Sequence, residues 1–227
     1  MSAVVEFFGL PGAGKTTVTG RMVDMGPGLC VEVQPLGLSR LNLRSTAGLN
    51  DVHVLVSYAI RRWRLTLDAL RSGGGFHGLR RMAVMLRSLN HLERSPPAAQ
   101  AAVMEEGAVQ ALWSIGGGRW SERQLERFFD AATATIRPVY VYVHVPPTVA
   151  ADRILRRRKP GRFDALRADA LIRELIQKAE GFERLVQAAR AHDLIVIELD
   201  GREDPQAQAS QVLNAVLTMA EKIGPAR

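Results

Sequence analysis

The feature that most restricts this chain is the run Gly9-Leu10-Pro11-Gly12-Ala13-Gly14-Lys15-Thr16, which stands between two segments of opposite periodicity. Before it, Ala3 to Phe8 is short, apolar and β-favouring; after it, Thr16 to Met25 has the spacing of a helix. The run fits G-x-x-x-x-G-K-[ST] at every fixed position, in the strand, loop, helix setting that gives the pattern its meaning. Small residues there let backbone N–H groups close around phosphate oxygens, and the following helix adds partial positive charge at the same point. The expected nucleotide contacts are Gly9, Pro11, Gly12, Ala13, Gly14, Lys15, Thr16 and Thr17. Lys15 is expected to reach the β- and γ-phosphates, and the Thr16 hydroxyl to bind Mg²⁺.

Beyond the loop, strand-like and helix-like segments alternate. Short apolar runs at Leu29 to Val33, Ala101 to Met104, Val139 to Val145 and Leu194 to Leu199 read as strands, the second strand stopping at Gln34-Pro35 because proline cannot continue an interior strand. Helical spacing covers Asn50 to about Ser72, a segment from Leu79 to Leu89 closed by Pro96-Pro97, a stretch up to Ile115, and Ser121 to Ile136 with Ser121 as N-cap. It continues over Thr148 to Arg158, Ala165 to His192 and Pro205 to Ile223. Strands alternating with helices predict right-handed βαβ units and a three-layer α/β/α fold around a five-stranded parallel sheet. One domain over residues 1–227 is expected, with a helical acceptor-side insertion at 36–99 and an arginine-rich lid at 153–164.

Composition narrows the setting. With 47% apolar and 23% charged residues, the chain has the make-up of a globular protein. No apolar run approaches the roughly 18 to 20 residues needed to span a bilayer. The N-terminus has no basic segment and enters the first strand directly, so a cytoplasmic protein is expected. Cys30 is the single cysteine and reads as a small core residue, and the five histidines show no metal-ligand spacing. Trp63, Trp113 and Trp120 read as core or pocket wall. Thirty Lys and Arg against 23 Asp and Glu give a net charge of +7, which favours anionic partners.

With Thr17 added, the glycine loop resembles that of the nucleoside and nucleotide kinases, most nearly thymidylate-kinase-like proteins. The resemblance extends to the order of strands, a basic segment after the fourth strand, and the ending Leu194 to Gly201 followed by a C-terminal helix. It implies a P-loop kinase using ATP and Mg²⁺. It also implies a mobile lid matching Arg153 and Arg157, with Arg156, Arg158, Lys159 and Arg162 close by. Guanidinium groups over the phosphates would stabilise charge developing on the transferred group.

Glu105 and Glu106 follow the third strand, on the side of a parallel sheet where ligands bind. The resembling kinases carry an acidic residue there, usually as Asp-Arg or Glu-Arg, whereas this chain has Glu-Glu-Gly. Glu105 is the expected base or magnesium partner, with Glu106 and Glu32 as the other acceptor-side carboxylates and Arg61 and Arg62 as acceptor-phosphate contacts. The function expected is an ATP-dependent phosphotransferase acting on a small hydroxyl or phosphate acceptor, nucleoside- or nucleotide-kinase-like. A sugar, antibiotic or lipid-linked acceptor, or a regulatory or nucleic-acid-associated ATPase, are the alternatives. The absence of a helicase-like second domain and of an aromatic basic strand argues against nucleic acid. Basic amphipathic helices at 50–94 suit a membrane surface, and peripheral membrane contact and a homodimer both stay open.

Overall fold

The computed structural model describes residues 3–26, 33–35, 46–73, 75–94, 101–105, 107–116, 119–157 and 166–223. Five parallel strands form one sheet in the order β2-β3-β1-β4-β5. They are β1 (Ala3–Phe8), β2 (Val33–Pro35), β3 (Ala101–Met104), β4 (Val139–His144) and β5 (Val196–Asp200). Helices connect them: α1 (Lys15–Met25), α2 (Thr46–Arg61), α3 (Trp63–Ser72), α4 (Gly75–Arg94), α5 (Ala108–Gly116), α6 (Glu122–Ala132), α7 (Pro147–Arg156), α8 (Ala168–Ala191) and α9 (Pro205–Ile223). The expected mixed α/β architecture with a parallel sheet is present.

Val4 through Phe8 and Val139 through Val143 are buried at successive positions, as in strands covered on both faces. On one face, Phe8 stacks on Tyr142 at 5.2 Å between ring centroids and meets Phe182 of α8, which stacks on Trp113 of α5 at 4.3 Å. Phe129 of α6 packs edge-on against Tyr140. Val5, Phe7, Val141 and Val143 alternate to the opposite face, where α1 and α9 pack together.

Two elements differ from the sequence expectation for identifiable reasons. The second strand includes Pro35, where a stop was expected. It lies at the sheet edge, beside β3 alone, so a missing N–H there costs no interior ladder bond. Residues 29–32 of that expected strand, with Cys30 and Glu32, lie outside the described residues. The single helix expected from Asn50 to Ser72 is two helices broken at Arg62, whose φ of −106° and ψ of 36° leave helical geometry. The Thr66 hydroxyl lies 3.1 Å from the Ala59 carbonyl and 3.2 Å from that of Arg62, and so offers a donor to the Ala59 acceptor at the break. The segment expected to form a lid is described only to Arg157; Arg158, Lys159 and Arg162 lie outside the described residues.

Candidate active site

The glycine loop leaves the C-terminal end of β1 and turns into α1 at Lys15. Gly9 has φ +145°, and a Cβ there would stand 2.2 Å from the Val143 carbonyl oxygen of β4, so the loop requires glycine at this point. The Gly9 N–H donates to Gln110 Oε1 at 3.1 Å, which ties the start of the loop to α5. Lys15 folds back over the loop, its Nζ donating to the carbonyls of Gly9 at 2.9 Å and Leu10 at 3.1 Å. An ammonium held across a ring of backbone N–H groups is suited to clamp phosphate oxygens.

At the mouth of this loop the Thr16 hydroxyl donates to Glu105 Oε1. Thr16 lies in the first turn of α1 and Glu105 directly follows β3, so the two meet because β3 and β1 are neighbours in register, Met104 opposite Glu6. A hydroxyl and a carboxylate are hard oxygen donors, and their convergence beside Lys15 fits Mg²⁺, which takes few protein ligands and keeps waters and phosphate oxygens. Among the described residues no group of three His, Cys, Asp or Glu gathers to hold a metal without such help.

Glu6, in the middle of β1, was not singled out from the sequence, where it reads as one polar residue in an apolar strand. It is fully buried, and its Oε1 accepts from the N–H groups of Val109 at 2.6 Å and Gln110 at 3.3 Å, at the first turn of α5. Gly107 makes room for it, since a Cβ on Gly107 would fall 2.4 Å from Glu6 Cδ. Glu6 Oε2 and the Tyr140 hydroxyl, one strand over in register, are buried with no hydrogen-bond partner among the described residues. Burial pushes the Glu6 carboxyl up to about 7, against the opposing pull of the α5 N–H groups. Glu6 fixes α5, Gln110 fixes Gly9, and Glu105 lies just before the same helix: one buried connection joins the loop to the carboxylate.

On the far side of the loop, Arg153 of α7 donates through Nη1 to the carbonyls of Gly12 (3.2 Å) and Ala13 (3.3 Å) and through Nη2 to that of Gly201 (2.9 Å). Its guanidinium thus braces the loop backbone against the turn after β5, a role the spacing of the arginine cluster did not disclose. Arg156 pairs with Asp152 on the surface. These arginines, with Gly12, Ala13 and Arg202, wall an open cleft of ≈ 490 Å³ beside the loop. Asp200 and Arg202 form an exposed pair at its rim, and the hydrogen bonds from Arg202 hold the Asp200 carboxyl down at about 2. A separate cleft of ≈ 540 Å³ between α6 and α8 includes no residue of the loop.

The arginines expected on the acceptor side, Arg61 and Arg62, both face Glu93. Arg62 bonds Glu93 at 2.6 Å, Arg61 lies 3.9 Å from the same carboxylate, and the Tyr58 hydroxyl donates to it at 2.9 Å, a cluster that ties α2 to α4. Glu32 and Glu106 fall outside the described residues. Trp113 and Trp120 are core residues as expected; Trp63 is not, being 55% exposed.

No protein-family model matches the chain, and no curated protein matches it in sequence. Among solved structures it is similar to a deoxyadenosine kinase from M. mycoides, solved with dCMP and dCDP bound, with a TM-score of 0.51 and 10% identity. The match covers 96% of this chain and 100% of that one, so the likeness is one of whole fold.

Proposed function

We propose that the protein is an ATP-dependent phosphotransferase that moves the γ-phosphoryl group to a small acceptor, in the manner of a nucleoside kinase. The observation that carries this is the meeting of the Thr16 hydroxyl with the Glu105 carboxylate beside Lys15. A strand-to-helix turn of no chemical purpose has no reason to bring that hydroxyl to that carboxylate, next in sequence to a lysine folded back over the loop. The fold shared with a deoxyadenosine kinase supports a nucleoside or similar hydroxyl compound as acceptor.

In this reading the backbone N–H groups of the loop bind the phosphate chain and Lys15 exchanges its loop carbonyls for β- and γ-oxygens. Thr16 and Glu105 would hold Mg²⁺, which when bound supplies charge neutralisation at the transferred group. Glu105 also stands where it can accept the proton of an attacking hydroxyl through water, with Glu106 and Glu32 as the other candidates. Arg153 and Arg157 border the ≈ 490 Å³ cleft, a volume suited to a nucleoside portion, and Arg157 would add positive charge for the phosphates. Acceptor sites for a sugar or lipid-linked alcohol would use the same loop and carboxylate.

ADP release measured with ATP and Mg²⁺ against a panel of deoxynucleosides, nucleoside monophosphates and sugars tests the proposal. Acceptor-dependent ADP formation supports it. Turnover that ignores every acceptor and rises with nucleic acid points to a regulatory ATPase instead.

A further inference from the structure

Five apolar side chains on α2 and α3 face solvent: Val56, Ile60, Trp63, Leu67 and Leu70 are 50, 68, 55, 37 and 42% exposed. They follow one another at spacings of four, three, four and three residues. Val56 and Ile60 lie one turn apart on α2, and at 100° per residue Trp63, Leu67 and Leu70 fall within an arc of about 60° on α3. The two helices join at Arg62, whose N–H reaches the Tyr58 carbonyl and whose carbonyl accepts from the Thr66 N–H. Tyr58, Leu65 and Ala69, on the other side, are buried in the core. The exposed stripe is therefore a second apolar face on helices whose first is already used, more than the scattered apolar residues of an ordinary surface.

Charge identifies what this face fits. From His53 to Ser72 the chain has Arg61, Arg62, Arg64 and Arg71 and a single carboxylate, Asp68. Asp68 is buried and held by Arg127 at 2.6 Å and by Gln124 at 3.3 Å, so it adds no negative charge to the surface. Arg64 and Arg71 are exposed beside the stripe, and the Arg64 guanidinium lies over the Trp63 ring at 5.3 Å. Two copies of such a face would meet arginine against arginine with no carboxylate between them, which opposes self-association. An apolar stripe with a tryptophan, bordered by arginines alone, is complementary to the boundary of an anionic bilayer.

We propose that the α2–α3 face docks the protein onto anionic lipid, with Val56, Ile60, Trp63, Leu67 and Leu70 entering the acyl boundary and Arg64 and Arg71 meeting lipid phosphates. Docking is peripheral; no described helix is long and apolar enough to cross a membrane.

The test uses the full chain and vesicles of phosphatidylcholine with or without phosphatidylglycerol. Trp113 and Trp120 are 5 and 2% exposed, so a change in tryptophan emission on binding reports Trp63. The expected result is sedimentation with the anionic vesicles only, weakened at least tenfold between 50 and 500 mM salt by screening (about an order of magnitude). A blue shift and loss of acrylamide quenching should accompany it. Ile60→Glu and the pair Arg64→Glu, Arg71→Glu should each lower partitioning about tenfold or more, with thermal melting close to the parent's as proof of folding. Equal binding to neutral vesicles, no binding to either, or parent-like partitioning of a folded charge-reversed variant overturns the proposal. So does a dimer, seen by light scattering, that shields Trp63 from acrylamide without lipid.

Discussion

Replacing Glu6 with glutamine should make the protein more stable at neutral pH, and the buried carboxyl sets the size of the effect. Its value in the folded chain is about 7, against 4.5 in the unfolded one. Below pH 4.5 the group is protonated in both states and contributes nothing to pH dependence. As pH rises toward 7 the unfolded chain releases the proton while the folded chain keeps it, so folding becomes progressively less favourable. At about 1.36 kcal/mol for each pH unit between the two values, the loss reaches about 3 kcal/mol above pH 7. Glutamine keeps an oxygen to accept from Val109 and Gln110 and supplies a donor at the place of Oε2, which has no partner among the described residues. Urea unfolding of parent and Glu6→Gln between pH 5 and 8 measures the difference. The two curves should converge near pH 5 and separate by up to about 3 kcal/mol at pH 8, with the variant more stable. A separation that stays constant across this range, or a parent that gains stability with pH relative to the variant, would refute the reasoning about Glu6. Asp200 cannot mimic the effect, since its lowered value near 2 acts only under far more acid conditions.

Other outcomes follow from the same geometry. Gln110→Ala leaves the buried Gly9 N–H without its acceptor and should cost about 1–3 kcal/mol by chemical denaturation, together with weaker nucleotide binding by calorimetry. Arg153→Ala should lower both kcat, by roughly 10²-fold, and the melting temperature, because three backbone carbonyls lose their donor, whereas Arg157→Ala should lower kcat alone. Glu105→Gln should lower kcat by about 10² to 10⁴-fold with little change in melting temperature, and Glu106→Gln much less; the reverse ranking assigns the role to Glu106.

The glycine loop, β1 and β3 were legible in the sequence because each depends on local residue type: a fixed motif, or an apolar run with a clear stop. The pairing of Thr16 with Glu105 was legible in part, since the loop after β1 and the end of β3 lie at the same edge of a parallel sheet. What was not legible depends on tertiary position. Pro35 continues β2 because that strand is at the edge, a property of sheet order and not of the residues around it. The break at Arg62 has no glycine or proline to announce it. Glu6 and Gln110 act through contacts more than 100 residues apart in sequence, and the one available signal was a lone carboxylate within an apolar strand. The contacts of Arg153 with the loop carbonyls were not legible either, since spacing within a basic cluster does not say which guanidinium turns inward.

The central claim is tested most directly by following ADP formation from ATP and Mg²⁺ with and without deoxyadenosine or deoxycytidine, comparing the parent with Lys15→Ala. The account predicts acceptor-dependent ADP formation by the parent, none above background by the variant, and the same melting temperature for both. Equal turnover by parent and variant would contradict it.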